Sequence, residues 1–549
     1  MRVLSFVYGE HCCGLAVVEN GRPKYCYEEE RFVRVKTSTD WKNLYFRFPI
    51  MSLYELKYKN GEDINNFDLY LFPKISGLDD STDRFLQNIS ELCNWSWNID
   101  YIKSRSLAYD HHGAHCALAY FTSGFADKKC LVVSIDALGS NYSAKYYLGD
   151  GGRMKYIDGI EVGRVSFGLY YAMLTEFLGF QRLKDEGKIV GMSSHGKRHD
   201  NLVKMFEKAI GPIEGVKTRM LPNGDSDMFV DFYTEFFKEV GGKFYKNRNT
   251  MNDIAANGQL VFENKVCEIL NNLHVMHPEY VHVCLSGGIF ANVKLNKRIN
   301  ELPWVKEVYV TPPMGDEGLP LGAALLGNSI KDKQDVFRLN DVYLGSEYNI
   351  KEIESTITDK YNDVFSEPLN IDRVSKLLSD GHIVGLFQGR MEYGPRALGN
   401  RTILADASKS DAYDKLNDRL NRNDCMPFAP VVLAEYASDV FKIEKSLYTA
   451  EFMTMLYDTY PEWHERIPAA LHPVDKTARI QLVYEDKNKL LYDILKSFYN
   501  RTNIPVLINT SFNIHEEPIV CWPENALEHL KNGIVDYLII EDRLYYYKV

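Results

Sequence analysis

Four side chains of this chain have the types and spacing that hold a divalent metal. His111 and His115 lie four residues apart in the run Asp110-His111-His112-Gly113-Ala114-His115, so on a helix their imidazoles share one face. His112, between them, points off that face and reads as structural. Asp136 closes the apolar, strand-like run Leu131-Val132-Val133-Ser134-Ile135-Asp136, where a carboxylate is costly to bury unless paired or metal-bound. Asp316 sits in the glycine-rich turn Pro313-Met314-Gly315-Asp316-Glu317-Gly318. Singly, each has a bland explanation as a satisfied core histidine or a solvated loop acid. Together, two imidazoles and two carboxylates form a ligand set for iron, manganese or zinc.

Two further stretches suit anions. In Leu285-Ser286-Gly287-Gly288-Ile289-Phe290-Ala291-Asn292, the glycines after a strand let backbone N–H groups approach a phosphate at the start of a helix expected from Phe290. Downstream, Arg390, Arg396 and Arg401 crowd into the glycine-rich string Gly389-Arg390-Met391-Glu392-Tyr393-Gly394-Pro395-Arg396-Ala397-Leu398-Gly399-Asn400-Arg401. Arginine forks match phosphate and carboxylate oxygens, and Pro395 stiffens the turn. Asp475 to Arg479 and Asn509 to Asn513 add polar groups at expected strand ends; met singly, such groups are usually caps and turns.

The elements that must carry these residues follow an α/β pattern. Strands near residues 5, 132, 283 and 309 suggest two related lobes around one cleft, with hairpins turning at Asn20-Gly21 and at Gly139-Ser140-Asn141. Residues 330–375 read as a linker or edge subdomain. A second α/β module opens with a helix over 372–380, continues through the strand 383–387 and closes with strands at 506–508 and 537–540.

At 549 residues the chain is too long for one core. Its net charge of −11 argues against a broad basic groove for nucleic acid. No apolar run reaches the roughly eighteen residues of a membrane span, and Met1 to Val7 reads as a strand, not a signal peptide. Ten cysteines without a C-x-x-C pair suit reduced thiols in the cytoplasm.

With these motifs in order, the chain resembles the O-carbamoyltransferases of antibiotic and nodulation-factor biosynthesis over nearly its whole length. The matching stretches include Glu28 to Lys36, Asp110 to His115, Ser166 to Tyr171, Glu186 to Gly191, Leu285 to Asn292, Gly315 to Gly318, Phe387 to Arg401, Pro427 to Pro430, Asp475 to Arg479 and Asn509 to Asn513. The resemblance implies an actin-like (ASKHA, Kae1-type) N-terminal domain of two related lobes, residues 1–350, and a YrdC-like α/β domain, residues 351–549. It implies that ATP and carbamoyl phosphate give carbamoyl-adenylate and pyrophosphate in the C-terminal domain, with Mg2+ for the ATP step and with Arg396 and Arg479 as catalytic cations. The carbamoyl group then passes to an acceptor hydroxyl at the metal site, where iron(II) is the expected ion.

Glu186, Lys188, Gly287, Gly288, Asn292, Arg390, Arg401, Asp475, Asn509, Ser511 and Asn513 would contact the nucleotides, and His11 and Lys36 are candidates for steadying charge or taking the hydroxyl proton. The chain departs from the family pattern at Cys12 and at Met426, where a basic residue normally precedes Pro-Phe-Ala-Pro; Arg422 or Arg419 could substitute. The expected acceptor is a sugar or other small hydroxylated metabolite, ahead of a hydroxymethylpyrimidine nucleotide or DNA, which the acidic charge makes awkward. A second copy of the chain is a candidate partner. Threonylcarbamoyl transfer to tRNA adenosine and a non-catalytic nucleotide-binding scaffold are the competing readings.

Overall fold

The computed structural model describes residues 1–9, 12–36, 48–74, 81–93, 95, 97–221, 228–244, 248–361, 363–422 and 426–547; His11 lies outside them. Two five-stranded sheets are built on one plan. The first comprises β1 (Arg2–Val7), β2 (Gly14–Glu19), β3 (Arg22–Glu28), β4 (Leu69–Pro73) and β5 (Ser106–Tyr109), in the order β3-β2-β1-β4-β5. The second comprises β6 (Cys130–Gly139), β7 (Tyr142–Asp150), β8 (Arg153–Glu161), β9 (His282–Ser286) and β10 (Glu307–Val310), in the order β10-β9-β6-β7-β8. Counted within each sheet, both read 3-2-1-4-5. In each, the first three strands form antiparallel hairpins, and in the second sheet β9 and β10 return parallel to β6.

Both hairpin turns expected from sequence are present. Asn20 and Gly21 (φ 52° and 72°), and Ser140 and Asn141 (φ 48° and 67°), adopt the left-handed backbone that matches strand twist in tight hairpins. β6 is buried from Cys130 to Ile135 and emerges at Asp136, where its register with β7 breaks. Such an irregularity re-aims side chains at a strand end.

The helix His111–Phe121 is buried from His112 onward because small and apolar residues surround it. It packs on the helix Leu319–Lys331 so closely that a Cβ at Gly322 would lie 2.2 Å from the carbonyl oxygen of Ala114. The helix expected from Phe290 begins later. A 3-10 turn over Gly288–Ala291 comes first, and the Asn292 side chain, accepting from the Leu295 N–H at 3.0 Å, then caps a helix over Val293–Asn300.

The C-terminal sheet has eight strands, in the order Phe365–Pro368, Arg543–Tyr546, Tyr537–Ile540, Val384–Phe387, Arg401–Asp406, Val506–Ser511, Ala429–Leu433 and Gln481–Val483. Its apolar face (Val384, Leu386, Leu404, Val431, Leu507, Ile539) packs on Val374 and Leu378 of the helix Ile371–Ser379 and on Leu491, Ile494, Leu495 and Phe498 of the helix Lys489–Thr502. The stretch read as a linker or edge subdomain contributes the helix Ile350–Lys360 and an edge strand of this sheet.

The chain divides into two compact units, one of residues 1–70, 82–106 and 339–549, the other of 71–81 and 107–338. No helix among the described residues is long and apolar enough to cross a membrane.

Candidate functional site

The histidine pair owes its position to Asp110. Its Oδ1 accepts from the Gly113 N–H at 2.7 Å and starts the helix at His111, while its Oδ2 accepts from Lys145 Nζ at 2.8 Å. One turn later His115 lies beneath His111, ring centroids 4.8 Å apart. Asp136 arrives from the end of β6 and Asp316 from a short 3-10 turn over Asp316–Gly318. Nε2 of His115 is 3.5 Å from Asp136 Oδ2 and 3.4 Å from Asp316 Oδ1, and Nε2 of His111 is 3.6 Å from the same Asp316 oxygen. One donor atom from each of the four residues lies within 4.8 Å of the others.

These residues fit a divalent ion. Nε2 of both His111 and His115 is buried without a hydrogen-bond partner, which is costly unless another group takes the lone pair. Donors about 3.4 Å apart are what an ion with bonds of about 2.1 Å spans tetrahedrally. Burial, with the facing His115, pushes the His111 pKa down. Burial acts on His115 in the same direction, but Asp316 and Asp136 outweigh it and the His115 pKa is raised. His112 is structural as expected, with Nδ1 2.8 Å from Ser134 Oγ and Nε2 3.0 Å from the Tyr142 carbonyl oxygen. At Gly139, an added Cβ would lie 2.3 Å from the His111 ring, so only glycine lets the hairpin lie against that imidazole.

The Ser286-Gly287-Gly288 turn serves this cluster. The Gly288 N–H donates to Asp136 Oδ2 at 2.6 Å, Gly287 N–H donates to the Met314 carbonyl at 2.7 Å, and Ser286 Oγ lies 3.0 Å from His115 Nδ1. The N–H groups that the sequence offered to a phosphate are therefore engaged inside the protein. Asn292 is similarly committed, to its helix cap and to Gln259 at 2.9 Å. Glu186 accepts from the Leu183 N–H at 2.5 Å, and Lys188 pairs with Asp185 at 3.1 Å.

In the other unit, the arginine loop is wired from within. One oxygen of Glu392, Oε1, accepts from the N–H groups of Leu398 and Asn400 at 2.8 Å and of Arg401 at 3.1 Å. Arg401 is wholly buried and donates to the carbonyls of Gln388, Asn400 and Gly389 at 2.6, 3.0 and 3.0 Å. Arg390 donates to the carbonyls of Leu344 and Lys24 at 2.6 and 2.8 Å. Both guanidiniums hold the backbone in shape. From the N-terminal motif, Glu28 Oε1 accepts from the Gly394 N–H at 2.8 Å and Arg31 donates to the Gly394 carbonyl at 2.9 Å.

Arg396, Arg422 and Arg479 form a different group. Burial, then the charges of Arg396 and Arg422, push Arg479 well below the usual guanidinium pKa, and its Nε is buried without a hydrogen bond. Arg422 donates to Thr510 Oγ1 at 3.0 Å and to Ser511 Oγ at 3.1 Å, which brings Ser511 to the cluster. Of the two candidates to replace the missing cation at Met426, Arg422 joins this group, whereas Arg419 pairs with Asp536 at 2.8 Å.

Asn509 ties the Ala397 carbonyl at 3.1 Å and Gln481 at 2.6 Å, leaving its own Oδ1 buried and unbonded. Asn513 holds the carbonyls of Ile514 and Glu517 at 2.8 and 2.9 Å, and Asp475 accepts from Thr477 Oγ1 at 2.8 Å. Lys36 is exposed, just beyond the helix Glu29–Val33. The sequence motifs include Ser286, Glu392, Glu28 and Arg31 but point to no role for any of them.

Comparison with known proteins gives a consistent picture. Residues 83–325 match the model for the carbamoyltransferase N-terminus and residues 375–546 that for the carbamoyltransferase C-terminus. An uncharacterized protein of Methanocaldococcus jannaschii is 31% identical over 95% of this chain and 85% of its own length. Nodulation protein NolNO of Sinorhizobium fredii is 29% identical over 80% of this chain and 63% of its own length, and nodulation protein U of the same species is 25% identical over 92% of each. Among solved structures, full-length HypF in its phosphate- and nucleotide-bound form aligns with 60% of this chain and 46% of its own, at 13% identity and a TM-score of 0.34.

Proposed function

The chain belongs to the carbamoyltransferase family, and from that premise we propose that it is an ATP-dependent O-carbamoyltransferase with two stations. At the first, a YrdC-like domain of residues 351–549, carbamoyl phosphate, water and ATP with its Mg2+ give carbamoyl-adenylate, inorganic phosphate and pyrophosphate. Arg396, Arg422 and Arg479 gather the phosphates, while Glu392, Arg390 and Arg401 keep the loop in shape. The support for this reading is that burial and the charges of Arg396 and Arg422 together push Arg479 well below the usual guanidinium pKa, a cost that an anion bound among them would offset.

The second station is an actin-like, Kae1-type domain of residues 1–350, a reading supported by the strand order repeated in the two N-terminal sheets. His111, His115, Asp136 and Asp316 would hold the ion there, iron(II) by family resemblance. When bound, the ion supplies Lewis-acid polarisation of the carbamoyl donor. The acceptor hydroxyl oxygen attacks the carbamoyl carbon, the bond to the adenylate oxygen breaks and AMP leaves. The hydroxyl proton passes to a base, for which Lys36 and His11 are the candidates, and Glu186 and Lys188 contact the nucleotide. The acceptor is a sugar or another small hydroxylated metabolite, and the setting is the cytoplasm, in keeping with the free cysteines among the described residues.

The test is to incubate the purified protein with ATP, Mg2+ and carbamoyl phosphate and to measure pyrophosphate. Release that depends on carbamoyl phosphate is expected; its absence sinks the adenylate step. A panel of sugars and hydroxylated metabolites, screened for the mass gain of one carbamoyl group, then identifies the acceptor.

A further inference from the structure

Ser286 closes β9 and faces the buried helix that carries the histidines. Its Oγ lies 3.0 Å from His115 Nδ1 and 3.3 Å from the Met314 carbonyl oxygen. A serine hydroxyl has one proton to give, and a carbonyl oxygen can only accept. The Met314 carbonyl, which also accepts from the Gly287 N–H at 2.7 Å, takes the serine proton; the hydroxyl lone pair then faces Nδ1, and Nδ1 carries a hydrogen. In the neutral imidazole that leaves Nε2 of His115 as a bare lone pair on the side of Asp136 and Asp316.

The neighbouring strand provides the contrast. Ser134 on β6 is the register partner of Ser286 and lies 2.8 Å from Nδ1 of His112. The Tyr142 carbonyl, 3.0 Å from Nε2 of His112, forces the hydrogen onto that nitrogen, so Nδ1 of His112 accepts from Ser134. One rung of the sheet thus offers a serine to each of two histidines on one helix and holds them in opposite tautomers.

We propose that Ser286 is a positioning residue that locks His115 in the Nδ1–H tautomer and so keeps Nε2 available to a metal ion. The proposal rests on the metal reading of the His111, His115, Asp136 and Asp316 cluster. Outer partners of this kind typically contribute a factor of roughly 10 to 100 in metal affinity.

The test measures Zn2+ binding to the full-length, metal-free protein by competition with a chromogenic chelator. Ser286→Ala should weaken binding roughly 10- to 100-fold, and Ser286→Thr, which keeps the hydroxyl, should restore most of it. Ser134→Ala removes the same atom from the same sheet face but touches a non-ligand, so it should lower the unfolding temperature and leave affinity within about threefold. Equal losses in the two alanine variants, or wild-type affinity in Ser286→Ala, would overturn the proposal.

A second measurement needs no variant. Nitrogen-15 NMR of histidine-labelled, metal-free protein in alkaline buffer, where imidazoles are neutral, should show His115 with its hydrogen on Nδ1; a hydrogen on Nε2 overturns the proposal. If the wild type takes up no ion, the metal reading falls by itself, and the tautomer still decides the role of Ser286.

Discussion

Glu28 accepts a hydrogen bond from the main-chain N–H of Gly394 at 2.8 Å, so the N-terminal motif and the arginine loop are joined by a buried carboxylate. Arg31 closes the link from the other side, donating both to Glu28 at 2.9 Å and to the Gly394 carbonyl. Without Glu28, Arg31 keeps Glu30 at 3.2 Å as its acidic partner, but the pair is weakened and the buried Gly394 N–H loses its acceptor. Glu28→Ala is expected to destabilise the protein by about 3 kcal/mol and to depress pyrophosphate release more than metal binding. Urea unfolding and the two assays, run on one preparation, check this.

The guanidiniums should separate by role. Arg479→Ala and Arg422→Ala are expected to lower pyrophosphate formation by about 100-fold or more, the scale of losing one preorganised charge contact. Arg419→Ala, whose side chain pairs with Asp536, should leave the rate within about threefold. Steady-state rates at saturating ATP decide between them.

His111→Ala and His115→Ala should abolish carbamoyl transfer while sparing pyrophosphate formation, because both side chains belong to the candidate metal cluster and the arginine group is built from other elements. Chelator treatment of the wild type, followed by removal of the chelator and restoration of Mg2+ alone, should reproduce the split. Loss of both steps in either variant would place the ion elsewhere.

The acid limb of stability should report His529. Burial, with help from Arg34, pushes its pKa down to about 4 in the fold. The unfolded chain takes up the proton near pH 6.5. The stabilisation from a neutral buried imidazole is therefore complete above about pH 6.5 and is lost as pH falls towards 4, roughly 3 kcal/mol at most. His529→Met should flatten the unfolding temperature across that window; an unchanged slope would refute the assignment.

The four residues of the candidate metal cluster could be picked out in the sequence because each depends on a local rule. Helical spacing pairs His111 with His115, an apolar strand ends at Asp136, and a glycine-rich turn carries Asp316. Ser286 was not legible, since its role depends on the register of β9 against β6 and on the helix above them, neither of which leaves a local pattern. The arginine loop shows the same limit. In sequence Arg390, Arg396 and Arg401 look alike, yet carbonyls of Lys24, Leu344 and Gln388 draw two of them inward. Only the folded chain brings those acceptors near, and the same holds for Arg422, which the fold brings to Thr510 and Ser511.

Glu392 has a kinetic consequence for the loop. The N–H groups of Leu398, Asn400 and Arg401 all end on one carboxylate oxygen, so none can be released to solvent without loosening the others. Their deuterium uptake should follow a single opening event, with one shared protection factor, and Glu392→Gln should raise all three exchange rates together. A substrate that reshapes this loop meets a latch with one pivot.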